Sequence, residues 1–269
     1  MGGGDQPLVI TSCMADNEDF LMADLAGYLT RRLGRRVEFL NDVSWREREA
    51  KLDQGAAQVG WICGLPYVWR ADRPESDVEL LAAPVVGGAA YAGRPVYFSD
   101  VLVRTDRPYE RLEDLAGAVW AYNEPGSHSG YGVMKARLAE LNWGGSFFRE
   151  AIMSGSHQES LRMLRDGRAD VSAIDTIVLE LELASHPEMD GAFRALERLG
   201  PSPIPPLVVR CDLSSGLKQA LKHALLSMNE DPAGAEVLAR GPVVQYVEVQ
   251  DTDYDPIRQA LRAGEDVTI

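Results

Sequence analysis

The stretch YNEPGSHSGYG, residues 122–132, sets three hydrogen-bonding side chains, Ser127, His128 and Ser129, between Gly126 and Gly130. A helix-like segment, YGVMKARLAELN, follows directly. The start of a helix exposes unpaired backbone N–H groups and the positive end of the helix dipole, which makes it a ready anion site. Two hydroxyls and an imidazole N–H add donors, and Gly130 allows the backbone to approach a ligand closely. The plain alternative is an N-cap by Ser127 or Ser129. One serine suffices for a cap, so three donors flanked by glycines favour a ligand.

A second stretch, SGSHQESLRMLRDGRADVSAID, carries related chemistry. Ser156 and Glu159 have the Ser-x-x-Glu spacing of a capping box, so a helix begins there and His157 sits in its first turn. A solvent-facing first-turn residue is the plain reading of His157. Asp175 ends the strand pattern ADVSAID, at the carboxyl edge where open α/β sheets place ligand groups. Capping the following helix, TIVLELELA, is compatible with that role.

Earlier in the chain, GWICGLPYVW puts Cys63, Gly64 and Leu65 at a strand end, with Pro66 placed as the first helical residue. TSCMADNEDF, containing Met14, reads as a further helix start with Asp16 as its cap. Trp45, Tyr67, Tyr91 and Tyr97 are aromatic candidates for packing on a ligand. Only Tyr97, on an extended crossing segment, stands out from the ordinary core role of aromatics. Nucleophilic catalysis has little support, because GSHSG is not a Gly-x-Ser-x-Gly elbow and no Cys–His pairing is readable. A P-loop and a dinucleotide fingerprint are absent from the sequence. Three scattered cysteines and four histidines without paired spacing argue against a metal site, and no cofactor is implied.

The elements that must position these groups alternate. PLVITSCM, RVEFLND and AQVGWIC read as strands separated by two helices, ADNEDFLMADLAGYLTRRLG and WREREAKLDQG, the grammar of an α/β unit with a largely parallel sheet. PVYFSDVLVRTD opens a second unit, with helix YERLEDLAG, strand AVWAYN, helix SGYGVMKARLAEL, strand FFREAIMSG, helix HQESLRMLRDG, strand ADVSAID and helix TIVLELELASH. GPSPIPPLVVR, with four prolines, reads as an extended crossing. A long helix, SSGLKQALKHALLSMNED, and the segments PVVQYVEVQ and DPIRQALRAG close the chain. The expected organisation is lobe 1 from residues 1–100 plus 206–269 and lobe 2 from 101–205, joined by two crossings. Such an arrangement forms a hinged cleft, where ligands prefer to bind.

Composition narrows the partner. With 27 Lys plus Arg against 41 Asp plus Glu, the net charge is −14, which excludes the basic footprint that nucleic acid or anionic lipid requires. An anionic ligand must therefore be held by locally organised donors against the mean field of the protein. No apolar run approaches the roughly 18–20 residues that span a membrane. The opening MGGGDQPLVITS lacks the basic n-region and long h-region of a signal peptide, so the expectation is a mature exported form or a cytoplasmic protein.

PVYFSDVLVRTD, EPGSHSGY, SGSHQESLRMLRDGRADVSAID and PIPPLVV, in that order and spacing, resemble the phosphate/phosphite/phosphonate-binding family of ABC-transporter substrate-binding proteins. The resemblance covers nearly the whole chain. It implies a type 2 periplasmic-binding-protein fold, two Rossmann-like α/β lobes joined by two hinge crossings with the ligand cleft between them. It further implies that Ser127, His128 and Ser129 hold an anionic head group, with Gly130 and Tyr131 beside them and His157 a further donor. Tyr97 would contact the ligand from the hinge side, and Asp175 would accept from a P–OH or an ammonium. Met14, Trp45, Cys63, Gly64 and Leu65, read from the helix starts and aromatic positions above, are the candidate contacts from lobe 1. The sequence departs from the family at Gly126, where Asn is usual, at His128, where Thr is usual, and at Glu124, where Asp is common. An imidazole at the central position is larger than Thr and titrates near neutrality, so the pocket is expected to be reshaped and pH-sensitive.

The function implied is capture of a small phosphonate, phosphite or phosphate for ABC-type import by a monomeric, non-catalytic protein, with a permease and an ATPase as partners. Two alternatives stand beside it: a cytoplasmic enzyme or sensor on the same fold, and a binder of sulfonates or organic anions.

Overall fold

The computed structural model describes residues 6–145 and 147–268. The opening residues 1–5, part of the stretch read for a signal peptide, lie outside the described residues. Two compact units emerge, Met1–Val96 with Pro203–Tyr254, and Tyr97–Ser202 with Asp255–Ile269.

Unit 1 begins with β1 (Leu8–Ser12), α1 (Asp19–Leu33), β2 (Val37–Leu40), α2 (Trp45–Asp53), β3 (Val59–Trp61) and α3 (Gly64–Ala71). Helix α1 ends where Gly34 takes the left-handed conformation, φ 63°, which glycine adopts without a Cβ penalty. Strands β1, β2 and β3 are parallel. Strand β4 (Val78–Val86) then fills a stretch that the sequence reading passed over, although seven of its nine residues are buried. Its alanines and a proline dilute the β-branched signal. In chain order unit 2 follows, with β5 (Val96–Arg104), β6 (Val119–Tyr122), α4 (Val133–Glu140), β7 (Glu150–Met153), α5 (His157–Arg165), β8 (Val171–Asp175), α6 (Thr176–Ser185) and β9 (Phe193–Pro203). The chain returns to unit 1 as β10 (Leu207–Arg210), α7 (Ser215–Leu226), α8 (Pro232–Leu238) and β11 (Val243–Val247), and ends in α9 (Asp255–Ala263).

The unit 1 sheet has strand order β11-β4-β10-β3-β1-β2, and the unit 2 sheet β7-β6-β8-β5-β9. Both are mixed rather than largely parallel. In unit 1, β10 runs antiparallel to β3 and β4, and in unit 2, β5 runs antiparallel to β8. These are the strands at which the chain changes unit, so they arrive from outside the βαβ succession and have no crossover helix to keep them parallel.

Unit 1 buries Ile10, Val59 and Trp61 against Met22, Leu25 and Leu29 of α1 and Leu221 and Leu225 of α7. In unit 2 the period-2 alternation of strand side chains supplies two cores, one on each face of the sheet. Val101, Val103, Trp120 and Val171 meet Met134 and Leu138 of α4 on one face. Leu102, Val119, Ala121 and Ile174 meet Leu161 and Leu164 of α5 on the other. Covered on both faces, β8 is buried along all five residues.

Several expectations shift in detail. YERLEDLAG yields only a 3-10 turn, Leu112–Leu115. The long C-terminal helix stops at Leu226, and Asp231 caps a separate α8 through a bond from the Ala233 N–H, 3.1 Å, with Pro232 at its first position. Helix α3 starts at Gly64, so Pro66 occupies its third position, where the missing N–H still has no intrahelical partner to lose. Asp16 caps nothing and instead opens a 3-10 turn. The boundary also moves: α9, expected in lobe 1, belongs to unit 2, where it packs against α4. Gly264 at its end lies so close that an added Cβ would sit 2.9 Å from the Lys135 Cβ.

Candidate functional site

In unit 2, β6 is parallel to both β7 and β8, so the loops after all three strands leave from one edge of the sheet. Those loops hold Asn123 and Ser127 after β6, Ser154 and Ser156 after β7, and Asp175 at the end of β8. The first two loops are stitched together by backbone, with the Gly155 N–H donating to the Asn123 carbonyl at 2.8 Å and the Ser154 N–H to the Tyr122 carbonyl at 2.8 Å.

Residues His128–Gly132 form a π-helical turn that runs into α4. The Gly132 N–H donates to the Ser127 carbonyl at 3.0 Å, closing the wide five-residue spacing. Ser127 itself is extended, φ −85° and ψ 125°, and caps the turn: its Oγ accepts from the Gly130 N–H at 3.0 Å. One serine therefore does the capping that the sequence allowed to either.

A chain of neutral side chains extends from that cap. Ser127 Oγ lies 3.3 Å from Ser129 Oγ, and Ser129 Oγ lies 3.0 Å from His157 Nε2. Asn123 Nδ2 approaches the same Nε2 at 3.5 Å. Ser127, Ser129 and His157 are all more than nine-tenths buried. Burial pushes the His157 pKa down from 6.5 to about 4, so the ring is neutral near pH 7. A neutral imidazole has one donor and one acceptor nitrogen. Nε2 faces both Ser129 Oγ and Asn123 Nδ2, while Nδ1 is a buried atom with no hydrogen-bond partner. Asn123 Oδ1 is likewise buried and unpartnered. A Cβ added at Gly130 would stand 2.1 Å from Asn123 Oδ1 and 3.1 Å from His157 Cε1, so the Asn123 side chain would have to move.

The helix carrying His157 starts as its spacing foretold, with Ser156 Oγ accepting from the Glu159 N–H at 3.0 Å. The Glu159 carboxylate turns to Arg162 and Arg168, so only half of the capping box forms.

Asp175 is the N-cap of α6, with Oδ1 accepting from the Ile177 N–H at 2.9 Å. Burial pushes its carboxyl up from 3.8 to about 7, against the opposing bonds from the Ile177 and Val178 N–H groups, and Glu180 and Asp100 push the same way. Near neutrality the group therefore exists in both protonation states and can donate or accept. Opposite it on β5 stands Ser99, buried, with its Oγ unpartnered. On an antiparallel pair, directly opposed residues share a face.

His128 goes elsewhere. Neighbouring residues of a helical turn do not face the same way, and its imidazole points to Ser202 on β9, Nε2 to Oγ 3.1 Å. There it lines a separate cavity of about 350 Å³ with Arg137, Glu197 and Pro256, among others, all within unit 2. Tyr131 turns into the core, stacked on Trp120 at 5.7 Å and 13°. Tyr97, the first residue of unit 2, is fully buried.

The unit 1 candidates follow the parallel strands β1, β2 and β3. Cys63 is the N-cap of α3 without a side-chain cap bond, and Gly64 and Leu65 are buried in its first turn. Met14, after β1, packs in part on the unit 1 core. Trp45 opens α2 beneath the guanidinium of Arg46, 4.8 Å from its ring. Among the described residues no group of three His, Cys, Asp or Glu is placed to hold a metal ion, and no helix is long and apolar enough to cross a membrane.

Sequence reasoning missed Asn123, Ser99 and Ser202. Asn123 was legible, since it follows the strand pattern AVWAYN directly at the edge where Asp175 was sought. Ser202 carried no such signal, because its partner lies 74 residues away.

Two mixed α/β units with neutral donors gathered at a helix start define a type 2 periplasmic-binding-protein fold, and solved structures agree. The chain superposes on a binding protein component of an ABC phosphonate transporter from Pseudomonas aeruginosa with a TM-score of 0.84, covering 97% of this chain and 87% of that one at 20% identity. PhnD1 from Prochlorococcus marinus, solved in complex with methylphosphonate, superposes with a TM-score of 0.81 over 97% and 98% of the two chains at 16% identity. The family model for the ABC-transporter phosphonate periplasmic substrate-binding protein matches residues 12–254, and the chain belongs to that family. It is also 26% identical over 208 residues to the phosphonates-binding periplasmic protein of Escherichia coli K12, an alignment spanning 75% of this chain and 59% of that relative.

Proposed function

We propose that this protein binds a small tetrahedral phosphorus oxyanion, a phosphonate, phosphite or phosphate, as the substrate-binding component of an ABC importer. The observation that carries this reading is the buried chain Ser127–Ser129–His157 beside the backbone of Gly130, with a polar atom at its end that lacks a partner. Neutral donors with a helix start suit an anion in a protein of net charge −14, because they add no counter-charge that must be desolvated first. The Ser127 and Ser129 hydroxyls, the His157 imidazole and the free N–H groups of the turn supply the donors. Asp175 accepts from a P–OH or from an ammonium on an organic tail. The partners are a permease and an ATPase, and the working place is the periplasm or the outer cell surface. Tyr97, Tyr131, Met14, Trp45, Cys63, Gly64 and Leu65 remain in this proposal as candidate contacts. The protein acts as a monomer.

Titration calorimetry against methylphosphonate, 2-aminoethylphosphonate, phosphite, phosphate and methanesulfonate tests the reading. At least one phosphorus oxyanion is expected to bind more tightly than the sulfonate. The Ser129→Ala variant should lose about 10- to 150-fold in affinity, since a hydrogen bond to a charged group is worth roughly 1.5–3 kcal/mol. A folded protein that binds none of the phosphorus compounds, or a sulfonate more tightly, overturns it.

A further inference from the structure

His128 sits at the centre of the donor turn, yet its side chain takes no part in the donor chain. Its ring is bonded to Ser202, and both residues are more than nine-tenths buried. Burial pushes the His128 pKa down to about 4, so the bond joins a neutral imidazole to a hydroxyl, which can serve as donor or acceptor. Both ends of the bond are held. On one side, the Gly132 N–H closes on the Ser127 carbonyl and the Val133 N–H on the His128 carbonyl. Gly132 also leaves room for the ring, since an added Cβ would lie 3.2 Å from His128 Nδ1. On the other side, Gly200 at φ 118° fixes the turn before Ser202, and a Cβ there would stand 3.0 Å from the Ser202 N and 3.2 Å from the Tyr97 carbonyl oxygen.

We propose that His128 is a positioning residue: its bond to Ser202 holds the turn His128–Gly132 in the wide π-helical register, and His128 offers a ligand only its backbone. A π turn is rarer than an α turn, and its wider spacing needs support from outside the helix. Relaxation to the four-residue spacing would move Ser129 against Ser127 and separate the hydroxyls from His157. A threonine at this position could not make the same tie. Its hydroxyl is one bond beyond Cβ, whereas Nε2 lies three bonds beyond. The inference rests on the anion reading above for its effect on affinity, but the tie itself is a property of the ligand-free fold.

Two measurements test it. In ligand-free protein, hydrogen exchange at the N–H groups of residues 128–133 should be faster in Ser202→Ala than in wild type and restored in Ser202→Thr, which keeps the hydroxyl. Unchanged exchange in Ser202→Ala overturns the tie whether or not a ligand is known. With methylphosphonate as the probe, or whichever phosphorus oxyanion of the panel binds, His128→Ala and Ser202→Ala should each weaken binding roughly 3- to 10-fold, the worth of one neutral hydrogen bond. The double variant should be no weaker than either single one. A loss in His128→Ala with none in Ser202→Ala would instead place the imidazole on the ligand and overturn the proposal. Wild-type protein that binds no oxyanion but shows the exchange pattern would sink the functional reading and leave the tie standing.

Discussion

Two helix starts, each following a parallel strand, have been dressed in opposite ways. In unit 1, α3 begins at Cys63 with no side-chain cap, and an apolar first turn follows. In unit 2, the turn before α4 begins at Ser127 with a hydroxyl cap, a second hydroxyl and an imidazole in one hydrogen-bonded chain. Both starts offer backbone N–H groups. Only the second surrounds them with buried neutral donors and leaves polar atoms incomplete. A helix start is thus a general device, and what makes one a recognition site is the side-chain shell around it.

The largest effect expected from breaking this contrast comes from a single methyl group. Gly130→Ala would force a Cβ to within 2.1 Å of Asn123 Oδ1, so the side-chain shell must move off the turn. Affinity for the bound oxyanion should fall by at least ~100-fold, about 2.7 kcal/mol, and thermal stability should fall with it. Gly216→Ala, in the first turn of α7 in unit 1, meets open space and should instead raise stability by a few tenths to about 1 kcal/mol. Calorimetry and thermal melts on the two variants decide it. A Gly130→Ala protein that binds like wild type would show that the turn is not packed as described.

The second effect is a dependence on pH, with opposite signs at the two kinds of buried group. His128 and His157 have folded pKa values lowered from 6.5 to about 4. Between those limits the unfolded chain takes up protons that the folded protein refuses, so stability is full above pH 6.5 and falls on acidification, by a few kcal/mol in all. Urea titrations at pH 7 and pH 5 should show the loss, and His157→Gln should remove about half of it. Ligand affinity, by contrast, should carry no histidine-linked change from pH 8 down to pH 5.5, so any change beyond the ligand's own ionisation belongs to Asp175. The expected titration of His128 near neutrality is thereby lost to burial.

Asp175 works the other way. Its folded pKa is raised from 3.8 to about 7, so the folded state keeps a proton that the unfolded state has lost, and stability falls as pH rises across that range. Asp175→Asn retains an oxygen for the cap bond from the Ile177 N–H. It should raise stability on the order of 2 kcal/mol at pH 8 and by much less at pH 4. A variant equally shifted at both pH values would show that the carboxyl is ionised throughout.

How much of this was legible in the sequence follows from distance along the chain. The periodic strands and helices, the Ser127 cap, the Ser156 cap and the Asp175 cap are local patterns, and each was read from a few adjacent residues. The mixed sheets, the placing of α9 and the His128–Ser202 bond depend on segments that meet only after folding. GSHSG showed that donors were present but not where each one points, because direction is set by the π spacing of the turn. Ser127 and Ser129 meet His157 in one hydrogen-bonded chain, while His128, grouped with them in the sequence, is turned to β9.

The smallest effect sharpens the comparison most. Asp231 caps α8 in unit 1 through the Ala233 N–H, just as Ser127 caps the π turn through the Gly130 N–H. Losing either cap should cost about 1 kcal/mol of stability, the ordinary worth of such a bond. Asp231→Ala should show that cost alone, with oxyanion affinity unchanged. Ser127→Ala should show the same loss in urea titration and, in addition, a fall in affinity, because its hydroxyl also belongs to the chain that runs to His157. Equal stability losses with unequal affinity losses would separate capping from recognition. If Ser127→Ala affected stability alone, the site would shrink to Ser129 and His157, and Ser127 would be a cap like any other.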